Sequence, residues 1–161
     1  MRRLLVVALA LVVVPTATAA FSVTLNTASP ATFTGITLSG VDQTKTLNLS
    51  VTVVNTGATN GTGWSVTATA GVPTSGANTL SPLQITTVSA ATCTGGGCNQ
   101  PTNAVTWPQT LSASGVKIFN ASAGTGKGTV VLTPVIQITY DAKALPGTYT
   151  ATVTMAGTTS P

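Results

Sequence analysis

From Phe21 onward, apolar and polar residues alternate with a period of two. Phe21, Val23 and Leu25 begin the pattern. Leu47, Leu49, Val51 and Val53 alternate with Thr46, Asn48, Ser50 and Thr52, and Trp64, Val66 and Ala68 with Ser65, Thr67 and Thr69. Val130, Leu132, Ile136, Ile138 and Tyr140 share one parity, interrupted by Pro134, and Tyr149, Ala151, Val153 and Met155 alternate strictly with threonines. A period of two puts successive side chains on opposite faces of a strand, so each run predicts a strand with one face inward and a Thr-rich face outward. No segment after residue 20 has a helical period, and Thr and Gly disfavour helices. Gly- and Asn-rich breaks fall at 55–63, 71–78, 93–101 and 121–128, and Pro146-Gly147 suits a type II turn. Pro134 belongs at an edge or a bulge, because it cannot donate to a ladder. About nine short strands without repeat or boundary predict one all-β domain, an immunoglobulin-like β-sandwich or a small barrel.

The first twenty residues follow another rule. Arg2 and Arg3 precede an unbroken apolar run, Leu4 to Val14, which Pro15 ends before the small residues Ala17-Thr18-Ala19-Ala20. A positive start, a short apolar centre and an A-x-A end predict a secretory signal peptide over 1–20, cut after Ala19 or Ala20, with the mature domain over 21–161. A spanning helix needs about 20 apolar residues, more than this run supplies. No second such run follows, so the mature chain is expected not to span a membrane. Leu145-Pro146-Gly147-Thr148 superficially resembles a sortase signal but continues into Tyr149 with no hydrophobic tail, and reads as a turn.

Charge narrows the function further. The 161 residues contain six Lys and Arg, two acids and no His. General acid–base catalysis needs groups that titrate near neutrality, usually His or paired carboxylates, so an enzyme is not expected. Two Cys cannot complete a zinc site without His, and Asp42 and Asp141 are too few for calcium without many carbonyls, so no metal or cofactor is expected. Without residues 1–20, Lys45, Lys117, Lys127 and Lys143 stand against those two aspartates, a net charge of +2. With no Arg and no basic patch left, nucleic acid is not an expected partner.

Individual motifs mostly reduce to structure. In an exported chain, Cys93 and Cys98 are expected to pair, with Gly95, Gly96 and Gly97 closing the small ring. Ser114-Gly-Val-Lys117 matches the S-x-x-K of penicillin-binding enzymes but sits in a strand pattern, without the accompanying motifs. Gly124-Thr-Gly-Lys127-Gly128 resembles a phosphate loop but lacks Ser or Thr after the Lys and a following helix, so it reads as a hairpin loop. Asn48, Asn60 and Asn120 fit N-x-[ST], which matters only in a glycosylating host. Trp64 opens a strand and reads either as a core residue at a sandwich end or as a surface residue stacking on sugar or anchoring a partner. Trp107, beside Pro108, is the better candidate for an exposed aromatic.

Leu49-Ser-Val51-Thr-Val53, Asn55-Thr-Gly57 and Gly63-Trp64-Ser65-Val66-Thr67-Ala68 resemble the first signature of WxL-domain surface proteins of Gram-positive bacteria. Cys93 to Cys98, Pro101-Thr-Asn103 and Val116 to Ala121 resemble segments of actinobacterial members, and Gly124 to Gly128 with Leu145 to Met155 resemble the family's closing strands. The likeness runs along essentially the whole mature chain. It departs at Val66, where the family has Leu, and at Met155-Ala156-Gly157, where the second motif lacks both Trp and Leu. The resemblance implies secretion and non-covalent association with peptidoglycan or another wall polymer, or with companion surface proteins. A different reading of the same composition is a structural subunit of a spore-coat or pilus-like polymer, in which the Phe21–Leu25 segment adds as a strand to a neighbour.

Overall fold

Alternating segments leave one apolar face each, and two sheets that bury those faces against one another are the solution this chain adopts. The structure is a computed structural model. It describes residues 4–13, 21–27, 31–57 and 63–160, and within 4–13 and 31–36 it describes the side chains of Leu9 and Phe33 alone. Arg2, Arg3, the Ala17–Ala19 cleavage signal and the Asn60 sequon lie outside the described residues. The strands in order are β1 (Leu4–Val13), β2 (Phe21–Leu25), β3 (Ala31–Thr37), β4 (Gln43–Asn48), β5 (Val51–Asn55), β6 (Trp64–Ala70) and β7 (Thr74–Ser75). There follow β8 (Asn78–Thr79), β9 (Gln84–Ala90), β10 (Gln109–Thr110), β11 (Val116–Ala121), β12 (Gly128–Tyr140) and β13 (Thr148–Thr158). Beyond the nine or so expected are the two-residue β7, β8 and β10, too short to show a period, and β1, whose composition is that of a leader.

One sheet has the order β11-β6-β13-β1-β3, with the β7–β8 hairpin joined to β13. The other has the order β10-β9-β12-β5-β2, with β4 also on β12. The sheets pack face to face as a β-sandwich and do not close into a barrel. Burial follows the sequence alternation: every second residue of β12 from Gly128 to Tyr140 is buried, as are Tyr149, Ala151, Val153 and Met155 of β13. With few aromatics, the core is mostly aliphatic: Val51, Ile85, Ile118, Leu132, Ile136 and Val153 are each fully buried.

Two sequence expectations need adjustment. The 47–53 run is two strands, β4 and β5, both paired with β12: Leu47 lies opposite Ile136, and Val51 opposite Leu132. Pro134 lies within β12, a central strand with β9 on its other side, rather than at an edge. The two facts explain each other. The Pro134 carbonyl accepts the Leu49 N–H at 2.8 Å, so its backbone polar edge faces the break between β4 and β5. Its missing donor therefore falls where the neighbouring ladder is already interrupted. The register with β9 shifts one residue later, between Val135 and Ile136, which supplies the expected irregularity.

Tyr140 ends β12 fully buried, and among the described residues its hydroxyl has no hydrogen-bond partner. Burial raises its pKa to about 12. The folded chain therefore favours the neutral phenol. That preference costs nothing below about pH 10, where the unfolded phenol is also neutral. As pH rises towards 12 only the unfolded chain ionises, and stability is lost. Removing an unpartnered buried hydroxyl leaves an apolar group where an unsatisfied polar one stood. Tyr140→Phe is expected to equal or exceed wild-type stability at pH 7 and to lose less between pH 10 and 11.5, as read by urea unfolding.

Candidate functional site

Trp64, the centre of the family-like motif, is a core residue. It opens β6 directly after Gly63, whose φ of +68° turns the chain inward, and its side chain is fully buried. A buried indole needs a partner for its N–H, and Trp64 Nε1 donates to the Gly126 carbonyl at 2.8 Å. Asn55 Nδ2 donates to the same carbonyl at 3.2 Å. Phe119 of β11 stacks on one side, with ring centroids 5.8 Å apart, and Phe21 of β2 lies at 6.2 Å, tilted. Val66 is fully buried two residues on. The Gly124–Gly128 segment that resembles a phosphate loop is thus the cradle of Trp64. Gly126 has φ +74°, and a Cβ there would collide with the indole.

The degenerate second motif lies beside the first. Met155 pairs with Ala68 and Gly157 with Val66 across the β13–β6 ladder, and Met155 is fully buried. A side chain at 157 would run into Phe21 and Val23 of the opposite sheet. Phe21 therefore fills the space over Gly157 while also flanking Trp64. Phe21 and Val23 are buried in their own chain, where β2 pairs with β5.

Trp107 is half-buried, not exposed. It packs against the core, its Nε1 donates to the Ile118 carbonyl at 3.0 Å, and its peptide bond to Pro108 is cis. Next to it, Asn120 Oδ1 accepts the Ala104 N–H and Asn103 Oδ1 accepts the Asn120 N–H, which fastens the long β9–β10 connection to β11. Cys93 and Cys98 form the expected disulfide. Its loop is laced to the Trp64 cradle: Thr94 and Thr129 exchange two backbone hydrogen bonds at 2.9 Å, and the Gly126 N–H donates to the Asn99 carbonyl at 2.9 Å. Ser114 lies in the turn before β11 and shares a hydrogen bond with Ser112 at 3.0 Å, and Lys117 lies exposed in β11, so S-x-x-K spans a turn and the start of a strand rather than a helix.

A surface cleft with room for a ligand or partner lies at one end of the sandwich. A cleft of about 450 Å³ is lined by Asn78, Thr79, Asp141, Lys143, Leu145 and Tyr149, with Ala77 and Ala144. Both acids of the chain work here. Asp42 Oδ1 accepts the Ala142 N–H at 2.7 Å, tying the β3–β4 and β12–β13 connections together, and Asp141 Oδ1 accepts Ser81 Oγ at 3.1 Å. Tyr149 is buried, and its hydroxyl donates to the Leu145 carbonyl at 3.0 Å across the bend at Pro146-Gly147; Gly147 lacks the positive φ that the expected type II turn requires. Among the described residues Val41, Val72 and Leu145, at 63%, 43% and 55% exposure, are the large hydrophobic residues most open to solvent, and all three lie on connections at or near this end. The sequence reading passed over Asn78, Thr79 and Lys143. The available signal was that the only two acids each stand at a strand terminus. Among the described residues no helix is long and apolar enough to cross a membrane.

No protein-family model and no curated protein matches the chain. The WxL likeness therefore rests on the residues quoted above.

Two outcomes follow for this clasp. Trp64→Ala should destabilise the domain by about 3–5 kcal/mol, as large-to-small changes of buried aromatics do, and Trp64→Phe by less, both read by urea unfolding. Replacing Cys93 and Cys98 together by Ser should cost about 2 kcal/mol, the chain-entropy value for so short a ring.

Proposed function

We propose that the chain is an exported, non-catalytic cell-surface protein that associates non-covalently with a companion surface protein. Three features support the export and surface assignment: the leader-like first twenty residues, the cysteine pair and the WxL-like motifs. The observation that favours a protein partner over direct wall binding is the commitment of both indoles to backbone carbonyls inside the fold. Sugar recognition by stacking needs an open aromatic face, whereas Val41, Val72 and Leu145 offer open aliphatic surface beside a small polar cleft. Aliphatic surface ringed by polar residues is the usual form of a protein contact. Association then depends on dry contact more than on charge, in keeping with a net charge of +2 from four Lys and two Asp after residue 20.

The exported protein should remain on intact Gram-positive cells in high salt and be lost from cells shaved with protease. Saturable, salt-resistant sedimentation with purified, protein-free peptidoglycan would contradict this and return wall polymer as the ligand. Leu145→Asp should reduce cell retention without changing stability, as measured by cell-bound fraction and urea unfolding together.

A further inference from the structure

The apolar run Leu4–Val13 is an inner strand of the uncleaved chain. β1 runs parallel to β13, with Val6 opposite Thr148 through Val13 opposite Met155, and antiparallel to β3, with Leu4 opposite Thr37 and Leu9 opposite Ala31. Every other strand pair described is antiparallel. Leu9 is fully buried within the common core, and β3 pairs with no other strand. If residues 1–20 are a leader, its removal takes away a strand from the middle of a sheet. The β1-facing edge of Thr148–Met155 then has no strand beside it, although β6 and β7 still pair with its other edge, β3 has no sheet neighbour, and the site of Leu9 is empty. An unpaired inner edge with an apolar floor is a template for strand addition.

We propose that in the exported protein the slot between β13 and β3 is an acceptor for an extended, uncharged apolar strand of another exported protein. This rests on the leader reading and names the surface through which the companion proposed above is held. The chemistry of the occupant follows from the present one. Residues 148–155 and 31–37 contain no charged side chain, so a charge on the incoming strand finds no partner there. The β13 register takes eight residues. A second copy offers a poorer fit: its first strand, Phe21–Leu25, is five residues long and is already paired with β5, its Phe21 set against Trp64. Closure of β3 directly onto β13 would need a shift of one strand spacing, about 4.8 Å. That shift strains the Gln43 side chain, whose Nε2 donates to the Thr37 carbonyl at 3.0 Å and to Ser39 Oγ at 2.7 Å.

The test begins with the full chain expressed through an export pathway and the secreted product weighed by mass spectrometry. Retention of residues 1–20 would refute the leader reading itself, separately from the slot. The processed product is then compared with uncleaved chain made without export, by amide hydrogen exchange and by binding of a synthetic Leu4–Val13 peptide flanked by lysines. The processed protein should bind the peptide, and those Thr148–Met155 amides that face the slot should slow at least about tenfold on binding. The uncleaved chain should not bind, and the peptide carrying Leu9→Asp should bind neither. A processed chain that folds only when the peptide is added supports the acceptor equally. Protection of 148–155 in a peptide-free monomer that ignores the peptide would overturn the proposal in favour of β3 closure. Protection that appears only as the protein self-assembles would overturn it in favour of a second copy.

Discussion

The hydrogen bond from the Trp64 indole to the Gly126 carbonyl ties the two sheets together. The indole sits on β6 of one sheet, the carbonyl belongs to the loop that leads into β12 of the other, and Phe21 and Phe119 hold the ring from β2 and β11. Gly126 is also where the disulfide loop is laced down, through its N–H to Asn99, so one peptide unit joins the core aromatic to the cross-linked surface loop. A domain with 4% aromatic residues has few large side chains with which to register two sheets. It places three of them at one point and fills most of the remaining core with Val, Leu, Ile and Ala, beside Phe33, Tyr140, Tyr149 and Met155. The tolerance of aliphatic packing for exchange makes such a fixed point valuable for specifying one arrangement.

The strands were legible because alternation is a direct consequence of pleating, and the runs around Leu132 and Val153 are buried as their parity requires. The sheet assignment was not legible. Nothing in the spacing of Val51 or Val66 says that the first joins β12 and the second β13, since both patterns are identical in kind. Pro134 illustrates the limit. Its missing donor was read correctly as needing an interruption, but the interruption belongs to the facing strands, which only the three-dimensional pairing reveals. Trp64 was readable as core or surface because a Trp after glycine opens a strand in either case; the partner of its indole is sixty-two residues away. The departure at Gly157 likewise has its reason in Phe21, from far earlier in the chain.

The first segment shows why composition alone could not separate two roles. An export leader and an inner β-strand are both short, apolar and free of charge, and Leu4–Val13 satisfies both descriptions. Its position between β13 and β3 links them: the segment expected to leave is the one that completes the sheet. A chain so poor in charge has few of the devices that normally guard a strand edge, such as inward lysines. Both of its acids, Asp42 and Asp141, instead organise the loops around the cleft at one end.

The central claim is that the motif tryptophan holds the fold together while association takes place elsewhere. Following the two indole N–H resonances of the isotope-labelled protein, during titration with soluble peptidoglycan fragments and after transfer to heavy water, tests it most directly. The account predicts that the Trp64 resonance does not move during the titration and exchanges only on the timescale of global unfolding. Saturable movement of that resonance, or its loss within the native state, would contradict it.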